Sequence, residues 1–408
     1  MNTSSISPAL RLAPLALALA ACSGDDAATA GSTTDAGTTA VDTDTTTAGA
    51  DLLAVDGACL GPVDAPTRLA VITTDFASGG LSVADVAARS VAVDVAAATT
   101  DTVATWYDGK LYLVHRYGYN RLDAVDGATW ALLGGVDVDV DAGVAEPNPQ
   151  ALAVADDGRG YLTLLGAPEV QVFDLSGDAP KKTGALDLSA FADDDGSPEA
   201  GVAIACGSYL VVGIQRLVDF TPVDVSSLVV LDRRSGAVVD LDPATPGDQG
   251  IPLAGAWPRQ IRVDPADPSG HTLLVLTTGL ERVHLPTATR EWAIPDTTLI
   301  AAGITGFAPQ AFALDATGDT VYLAAGDGEY PSAAVWRIAA DAAPEKIIGG
   351  IATSEKVLER VGDELWVGDT TPGSAGLRVF DLGAATPAEI TATPLGTGLP
   401  PYTILAIP

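Results

Sequence analysis

Polar or charged residues open a series of short apolar runs that repeat along the chain. They are Gln150, Glu199, Gln260 with Arg259 beside it, Gln310, Glu355 or Lys356, and Tyr402. If these runs surround a common axis, the side chains face one another and can bind a small ligand or an ion. Alternatively, each bonds to water or to a neighbouring backbone group, as buried polar groups generally do. We predict a ligand-binding rim from these residues, with the structural role as the competing interpretation.

A second group of functional side chains falls within one short segment, HRYGYN, which separates two apolar runs. It contains His115, Arg116, Tyr117 and Tyr119. Tyr and Arg are among the residue types that most often anchor interfaces. We predict a partner-binding loop here, on the same rim. The alternative is that His115 and the tyrosines pack between neighbouring repeats.

Sequence motifs for catalysis or for a resident cofactor are absent. The three histidines, His115, His271 and His284, are scattered, so a multi-histidine zinc or copper site is not expected. There is no C-x-x-C-H haem attachment motif, and the glycines stand in turns rather than between a strand and a helix. We therefore expect no cofactor and assign no catalytic residue.

Two acidic stretches resemble calcium loops in composition but not in spacing. In DVDVDAG, which carries Asp137, Asp139 and Asp141, Ala142 stands where such loops require Gly. No acidic residue stands at the twelfth position, and FADDDGSPE (191–199) fails the same comparison. We expect no calcium loop in either stretch, and metal binding elsewhere stays open.

A repeat of about 50 residues, which is typical of a repeat architecture, must position these side chains. Its clearest copy, residues 309–350, contains four apolar runs separated by ATGD, GEYPS and AADAAP. Runs of this length, rich in β-branched and aromatic residues and bounded by Gly, Pro or Asp, indicate antiparallel strands joined by tight turns. Six full copies begin near 102, 149, 198, 258, 309 and 354.

The two ends of the repeat region complete each other. RLAVITTDF, GLSVADVAA and SVAVDV match strands two to four of a unit, whereas the terminal PPYTILAIP matches only strand one. A seventh unit forms if the C-terminal strand pairs with the N-terminal segment, which also protects the strand edges of an open array. We predict an all-β, seven-bladed β-propeller of four-stranded antiparallel blades closed by this pairing.

The repeat pattern resembles the YVTN/YncE-like and related quinoprotein-like seven-bladed propellers. The resemblance covers about 67–408 and is carried by the strand pattern and by phrases such as VFDL, without a YVTN tetrapeptide. It implies the fold and does not name a function.

The N-terminus resembles that of a bacterial lipoprotein. An apolar core, LAPLALALA, is too short to span a bilayer and leads into Leu19-Ala20-Ala21-Cys22, which is similar to a lipobox. We predict a signal peptide (1–21), lipidation of Cys22, a disordered Thr/Ala/Asp-rich tether (22–57) and the propeller (58–408). By analogy with sorting in enteric bacteria, Ser23 favours the outer membrane, with periplasmic or surface exposure left open.

Charge and cysteine content narrow the possible partners. The formal net charge is −32, with 53 acidic residues against 21 basic ones, so nucleic acid is not an expected partner. After lipidation of Cys22, Cys59 and Cys206 remain, and an oxidising envelope favours a disulfide between them over two buried thiols. We expect a monomer.

Two hypotheses for function remain. The first is a lipid-anchored envelope module without catalytic activity that binds an envelope protein, a glycan or a small ligand through its loops and channel rim. The alternative is a propeller hydrolase of the lactonase type, with a divalent metal held at the channel mouth by Glu199 and neighbouring groups. The Gln, Lys and Tyr residues at most rim positions disfavour the second hypothesis.

Overall fold

The computed structural model describes residues 52–60, 65–140, 146–218, 221–222, 224–304, 309–327, 332–339, 342–353, 355–384 and 386–408. The predicted signal peptide, Cys22, the tether up to residue 51 and Asp141 lie outside the described residues. Within these ranges no helix is long and apolar enough to cross a membrane.

Seven four-stranded antiparallel sheets, the blades, are arranged around one axis. The strands of blades 1 to 3 are β1 (Arg68–Thr74), β2 (Gly79–Asp85) and β3 (Ser90–Ala98), then β4 (Thr102–Tyr107), β5 (Lys110–His115), β6 (Arg121–Asp126) and β7 (Leu132–Asp137), then β8 (Pro149–Val154), β9 (Arg159–Leu164), β10 (Glu169–Asp174) and β11 (Lys181–Asp187). Blade 4 consists of β12 (Ala200–Cys206), β13 (Tyr209–Ile214), β16 (Ser227–Asp232) and β17 (Ile251–Pro252), with β14 (Leu217–Val218) and β15 (Thr221–Pro222) forming a small ribbon between them.

Blades 5 to 7 follow in the same order along the chain. Their strands are β18 (Gln260–Val263), β19 (Thr272–Leu276), β20 (Leu280–His284) and β21 (Thr289–Ile294), then β22 (Ala311–Leu314), β23 (Thr320–Gly326), β24 (Ser332–Ala339) and β25 (Glu345–Ala352), then β26 (Leu358–Val361), β27 (Glu364–Asp369), β28 (Gly376–Asp381) and β29 (Ala388–Glu389). A 3-10 turn at Ser189–Phe191 and one short helix, α1 (Asp296–Ala301), which the repeat pattern did not predict, interrupt the strands.

The last strand, β30 (Pro401–Ile407), pairs antiparallel with β1 and becomes the innermost strand of blade 1. Leu69 faces Ala406 and Val71 faces Ile404 in this pairing. The predicted seven-bladed propeller and its closure by the C-terminal strand are confirmed. Because β1 is hydrogen-bonded on both sides, to β2 and to β30, closure protects the edge that β1 would otherwise expose.

The core consists of seven apolar clusters, one between each neighbouring pair of blades. The second strand of a blade is covered on both faces, so it reads as a continuous apolar run, as in β5 and β13. Outer strands are exposed, as in β11. Tight turns connect the strands: Asp108 and Gly109 both have positive φ between β4 and β5, as an Asp-Gly hairpin requires.

Residues 52–60 pack against blades 4 and 5. Leu53 is buried in the cluster between these blades, and its backbone N–H and that of Leu52 donate to the Pro286 carbonyl. Cys59 is joined to Cys206 by a disulfide. The end of the predicted tether, from Leu52 to Gly57, therefore contacts the propeller instead of extending away from it, because Leu53 supplies apolar burial that composition alone does not reveal.

Candidate functional site

Arg116 lies at the centre of a polar cluster where the innermost strands begin. Its Nε donates to Asp101 Oδ1 (2.7 Å), and its Nη1 donates to Gln150 Oε1 (3.3 Å). Its Nη2 donates to Glu355 Oε2 (3.1 Å) and to the Tyr402 hydroxyl. These four partners belong to blades 2, 3, 7 and 1, so one guanidinium connects four blades. We call Asp101, Arg116, Gln150, Arg259, Glu355, Lys356 and Tyr402 the mouth cluster.

The turn between β5 and β6 holds Arg116 in this position. Its backbone N–H donates to the Asp101 carbonyl (2.8 Å), and its carbonyl accepts from Tyr119 (3.0 Å). Gly118 and Asn120 have positive φ, which turns the chain back into β6. The residue is 8% exposed, because its guanidinium is covered by its hydrogen-bond partners.

Charges in the mouth cluster stabilise one protonation state. Burial acts to lower the pKa of Arg116, but Glu355, Tyr402 and Asp101 outweigh it, so the pKa is raised and the guanidinium stays charged. Burial would raise the pKa of Glu355, but the Arg116 charge and hydrogen bond lower it, and water also reaches 45% of its side chain, so the carboxylate stays ionised. Burial, with the Glu355 carboxylate, raises the pKa of Tyr402, which therefore keeps its proton.

Two further cations in the cluster are not neutralised by direct contacts. Arg259 stacks over the Trp257 ring at 5.3 Å, and neither its guanidinium nor the Lys356 ammonium donates a hydrogen bond to a residue within the described ranges. Desolvation lowers the pKa of both groups, and Glu355 partly opposes this effect. The cluster therefore contains three basic groups against two carboxylates, Asp101 and Glu355, in a chain whose overall charge is −32.

An ion pair crosses the channel below the mouth. Arg262 of β18 donates to both carboxylate oxygens of Glu359 of β26, at 2.8 and 3.3 Å, and thereby connects blades 5 and 7. Its guanidinium also lies 5.8 Å from the centre of the Phe312 ring in blade 6. Arg262 is two residues further along β18 than Gln260, which is roughly 7 Å deeper at the rise of a strand. The mouth is therefore a recess with a polar floor.

Gln260 and Gln310, two residues of the predicted rim, bridge neighbouring blades. The Gln260 amide donates to the Phe312 carbonyl (3.3 Å) and accepts from the Phe312 N–H (3.1 Å). Gln310 Oε1 accepts from the Thr353 hydroxyl. The contacts of Gln260 and Gln310 thus match the alternative in which rim residues bond to neighbouring blades. Four other residues of the predicted rim come together in the mouth cluster: Gln150, Arg259, Lys356 and Tyr402.

Glu199 belongs to a separate group of carboxylates in the loop before β12. One oxygen each of Asp193, Asp195 and Glu199 lies within 4.8 Å of the others. Gly196 and Glu199 have positive φ and fold this loop back on itself, a proximity that the twelve-residue calcium-loop spacing did not reveal. Glu199 is 5% exposed and accepts from the Leu217 N–H (2.8 Å). Its burial, aided by the charges of Asp193 and Asp195, raises its pKa to about 7.

The predicted partner-binding loop is divided between interior and surface. His115 is 4% exposed, with Nδ1 near the Thr99 and Thr102 hydroxyls and Nε2 3.2 Å from Asp123. Arg116 is buried in the mouth cluster. Only Tyr117 and Tyr119, 63% and 51% exposed, remain available on the surface. The four residues therefore do not form one continuous surface, because His115 is still part of β5.

The acidic stretch that begins at the end of β7 makes protein contacts. Asp137 Oδ1 accepts from Arg121 Nη1 at 2.7 Å. The Asp139 carbonyl accepts from Gln171 and Lys182. These two residues are thus engaged with neighbouring strands of blades 2 and 3.

Phe76 is a residue of the mouth that the sequence patterns did not indicate. It lies in the turn between β1 and β2, and its ring meets the Tyr402 ring edge-on, with the ring centres 5.9 Å apart. It is 71% exposed. Asp101 was missed as well, because its role depends on Arg116 and Tyr402, and Tyr402 is 301 residues away in the chain.

The sequence matches no protein-family model and no curated protein. Its structure is similar to the periplasmic gluconolactonase of Pseudomonas aeruginosa, with a TM-score of 0.55 and 15% identity over 84% of this chain and 99% of that one. It is also similar to a candidate 6-phosphogluconolactonase of Bacteroides uniformis, with a TM-score of 0.57 and 14% identity over 84% and 99%. At these identities the likeness concerns the propeller fold.

Proposed function

We propose that this protein is a lipid-anchored envelope β-propeller that binds a small organic anion at the mouth of its channel and catalyses no reaction. The observation that carries the proposal is the pair Arg259 and Lys356, which are partly buried near Glu355 and have no hydrogen-bond partner for their charged groups within the described ranges. Partial burial destabilises a cation until an anion reaches it. A carboxylate between the two groups would accept the charge-assisted hydrogen bonds that the protein leaves unmade.

The residues around Arg259 and Lys356 support selectivity for a small anion. The three basic groups of the mouth cluster outnumber its two carboxylates, whereas the rest of the chain is strongly acidic. The Arg262–Glu359 pair joins blades 5 and 7 below the recess, where it would limit how deeply a ligand enters. Arg116 and Tyr402, held in one protonation state, provide a rigid wall. Pre-organised groups of this kind reduce the ordering cost of binding.

The test is a calorimetric titration with acetate at low ionic strength. Replacing both cations (Arg259→Ala/Lys356→Ala) should weaken binding by about tenfold or more, since charge-assisted contacts are lost. The matched control is Arg337→Ala/Lys346→Ala, which removes the same two residue types from exposed ion pairs of blade 6 and should leave the affinity unchanged. Equal affinities of the wild type and the mouth variant would contradict the proposal, as would the absence of binding to the wild type.

The lipid anchor is a separate part of the proposal, supported by the lipobox-like sequence ending in Cys22. Cys22→Ser should abolish acyl labelling and release the protein from membranes, whereas the neighbouring change Ser23→Ala should leave the labelling in place. Continued labelling of the Cys22→Ser variant would contradict the anchor. A periplasmic structural relative agrees with an envelope location.

A lactonase-type hydrolase is the second candidate, favoured by the Asp193–Asp195–Glu199 group. These three carboxylates would hold a divalent metal, which supplies Lewis-acid polarisation of a carbonyl when bound. Structural relatives named as a gluconolactonase and as a candidate 6-phosphogluconolactonase support the same candidate function. EDTA should then lower the melting temperature of the wild type but not that of Glu199→Gln, with the surface change Asp187→Asn as a control. A melting temperature insensitive to EDTA, together with no stoichiometric metal in purified protein, would remove this candidate.

A further inference from the structure

Phe76 is a large aromatic residue held exposed in a costly backbone conformation. Its φ is +62°, a left-handed value uncommon for bulky side chains, and its side chain lies mostly in solvent. Neither feature stabilises the folded chain. Strain of this kind persists where surrounding groups enforce it, and it occurs often at binding sites.

The turn that carries Phe76 is fixed by its own side chains. Thr74 Oγ1 accepts the Phe76 N–H at 2.9 Å and donates to the Ser78 carbonyl at 2.9 Å. Asp75 Oδ1 accepts from the N–H groups of Ala77 and Ser78, at 2.9 and 2.7 Å. These bonds fix the backbone of the turn at Phe76 without any contribution from the ring itself.

The ring stands beside the charged recess. Its neighbour Tyr402 accepts a hydrogen bond from Arg116, and the Arg116 guanidinium lies 5.7 Å from the centre of the Tyr402 ring. On the same end of the propeller, the equivalent turn of blade 2 exposes Tyr117 and Tyr119. The Phe76 ring therefore lies beside the Arg116 side of the mouth, and Glu355, the carboxylate that pairs with Arg116, also interacts electrostatically with Arg259 and Lys356.

We propose that Phe76 is a ligand-positioning residue and that the ligand is an organic carboxylate with an aromatic or other apolar group beside its carboxylate. This inference rests on the anion-binding function proposed above. The carboxylate is recognised by Arg259 and Lys356, and the apolar group covers the exposed face of Phe76. An inorganic anion would leave the Phe76 ring in water, and a wholly apolar ligand would leave both cations unpaired.

The experiment compares phenylacetate with acetate on the full chain by calorimetry. The two ligands share the carboxylate, so their affinity ratio isolates the apolar contact. The wild type should bind phenylacetate about tenfold more tightly, a ratio expected from covering part of one aromatic side chain. Phe76→Gly should reduce the ratio to about one while acetate affinity stays unchanged, and Phe76→Tyr should retain the preference.

Thermal unfolding distinguishes a structural role of Phe76 from a role in ligand positioning. Glycine accepts positive φ without strain, so Phe76→Gly should melt no lower than the wild type. Leu132→Gly, at another exposed apolar residue on an outer strand, should keep the phenylacetate preference. Two results would overturn the role of Phe76 but not anion binding. One is equal wild-type affinity for phenylacetate and acetate, and the other is an affinity ratio that Phe76→Gly leaves unchanged. Absence of binding by both ligands would overturn anion binding as well.

Discussion

Arg116 is the residue on which the mouth cluster depends. It is buried, it pairs with Asp101 and Glu355, and it donates to groups on four blades. A buried ion pair adds little net stability by itself. Removing the cation is costly, however, because it leaves the partner carboxylates unpaired.

Arg116→Ala should therefore destabilise the fold by about 2–4 kcal/mol, because Asp101 and Glu355 lose their counter-charge. Urea unfolding at neutral pH measures this change. The exposed pair Arg89–Glu364 provides the control, since Arg89→Ala should cost less than about 1 kcal/mol. Similar losses for the two variants would show that Arg116 is an ordinary surface cation.

The pKa of Glu199, about 7, makes stability depend on pH. Its pKa is higher in the folded than in the unfolded chain, so the folded state binds more protons between about pH 4.5 and 7. The stability that protonated Glu199 gives the folded state is therefore complete below that pH range, and it is lost as the pH rises through the range. Glu199→Gln, which stays neutral, should gain stability relative to the wild type between about pH 5 and pH 8, by at most about 3 kcal/mol.

Unfolding in urea with EDTA present checks the Glu199 prediction at both pH values. Asp187→Asn, on the exposed outer strand β11, serves as the control and should show no such trend. A stability difference between Glu199→Gln and wild type that is the same at both pH values would contradict the raised pKa.

Sequence patterns located part of the mouth cluster and missed the rest for a physical reason. Gln150, Lys356 and Tyr402 were predicted because they occupy equivalent positions in the repeat. The roles of Asp101 and Phe76 depend on contacts across hundreds of residues, which no local pattern encodes. Gln260 has the same register as Gln150 but finds the Phe312 backbone beside it.

At the scale of elements, β30 closes the ring. Ile404 is buried in the cluster between blades 7 and 1, which also contains Leu69, Val71 and Trp366. The sequence predicted this pairing because both chain ends carry incomplete repeats. Helix α1 and the packing of Leu53 were not predicted, since each occurs once and leaves no repeating pattern.

Ile404→Ala should cost about 2–4 kcal/mol, because it leaves a cavity at the closing seam. Urea unfolding measures the loss. Ile390→Ala, at a residue 39% exposed beyond β29, should stay within about 1 kcal/mol of the wild type. If both variants unfold at the same urea concentration as the wild type, β30 is not part of the cooperative core.

At the scale of the molecule, the Cys59–Cys206 disulfide ties the N-terminal segment to blade 4 across 147 residues. The closed loop contains blades 2 and 3 and three of the four strands of blade 1, so the crosslink restricts a large part of the unfolded chain. Cys59 lies at the opposite end of blade 4 from the mouth, because Cys206 ends β12 whereas Glu199 precedes it.

Cys59→Ser/Cys206→Ser should lower stability by about 2–4 kcal/mol through the entropy of the unfolded chain. Acetate affinity should stay at the wild-type value, because the mouth cluster contains no residue of this segment. Thermal unfolding with and without reductant, beside calorimetry, gives both readouts. A variant that loses anion binding while still folded would contradict this separation of the two ends.

The most direct test of the central claim is a crystal structure with 4-bromophenylacetate, whose bromine gives an anomalous signal. We predict a carboxylate within hydrogen-bond distance of Arg259 or Lys356 and a bromophenyl ring against Phe76. A ligand bound elsewhere, or a mouth without ligand at saturating concentration, would contradict anion binding at the channel mouth.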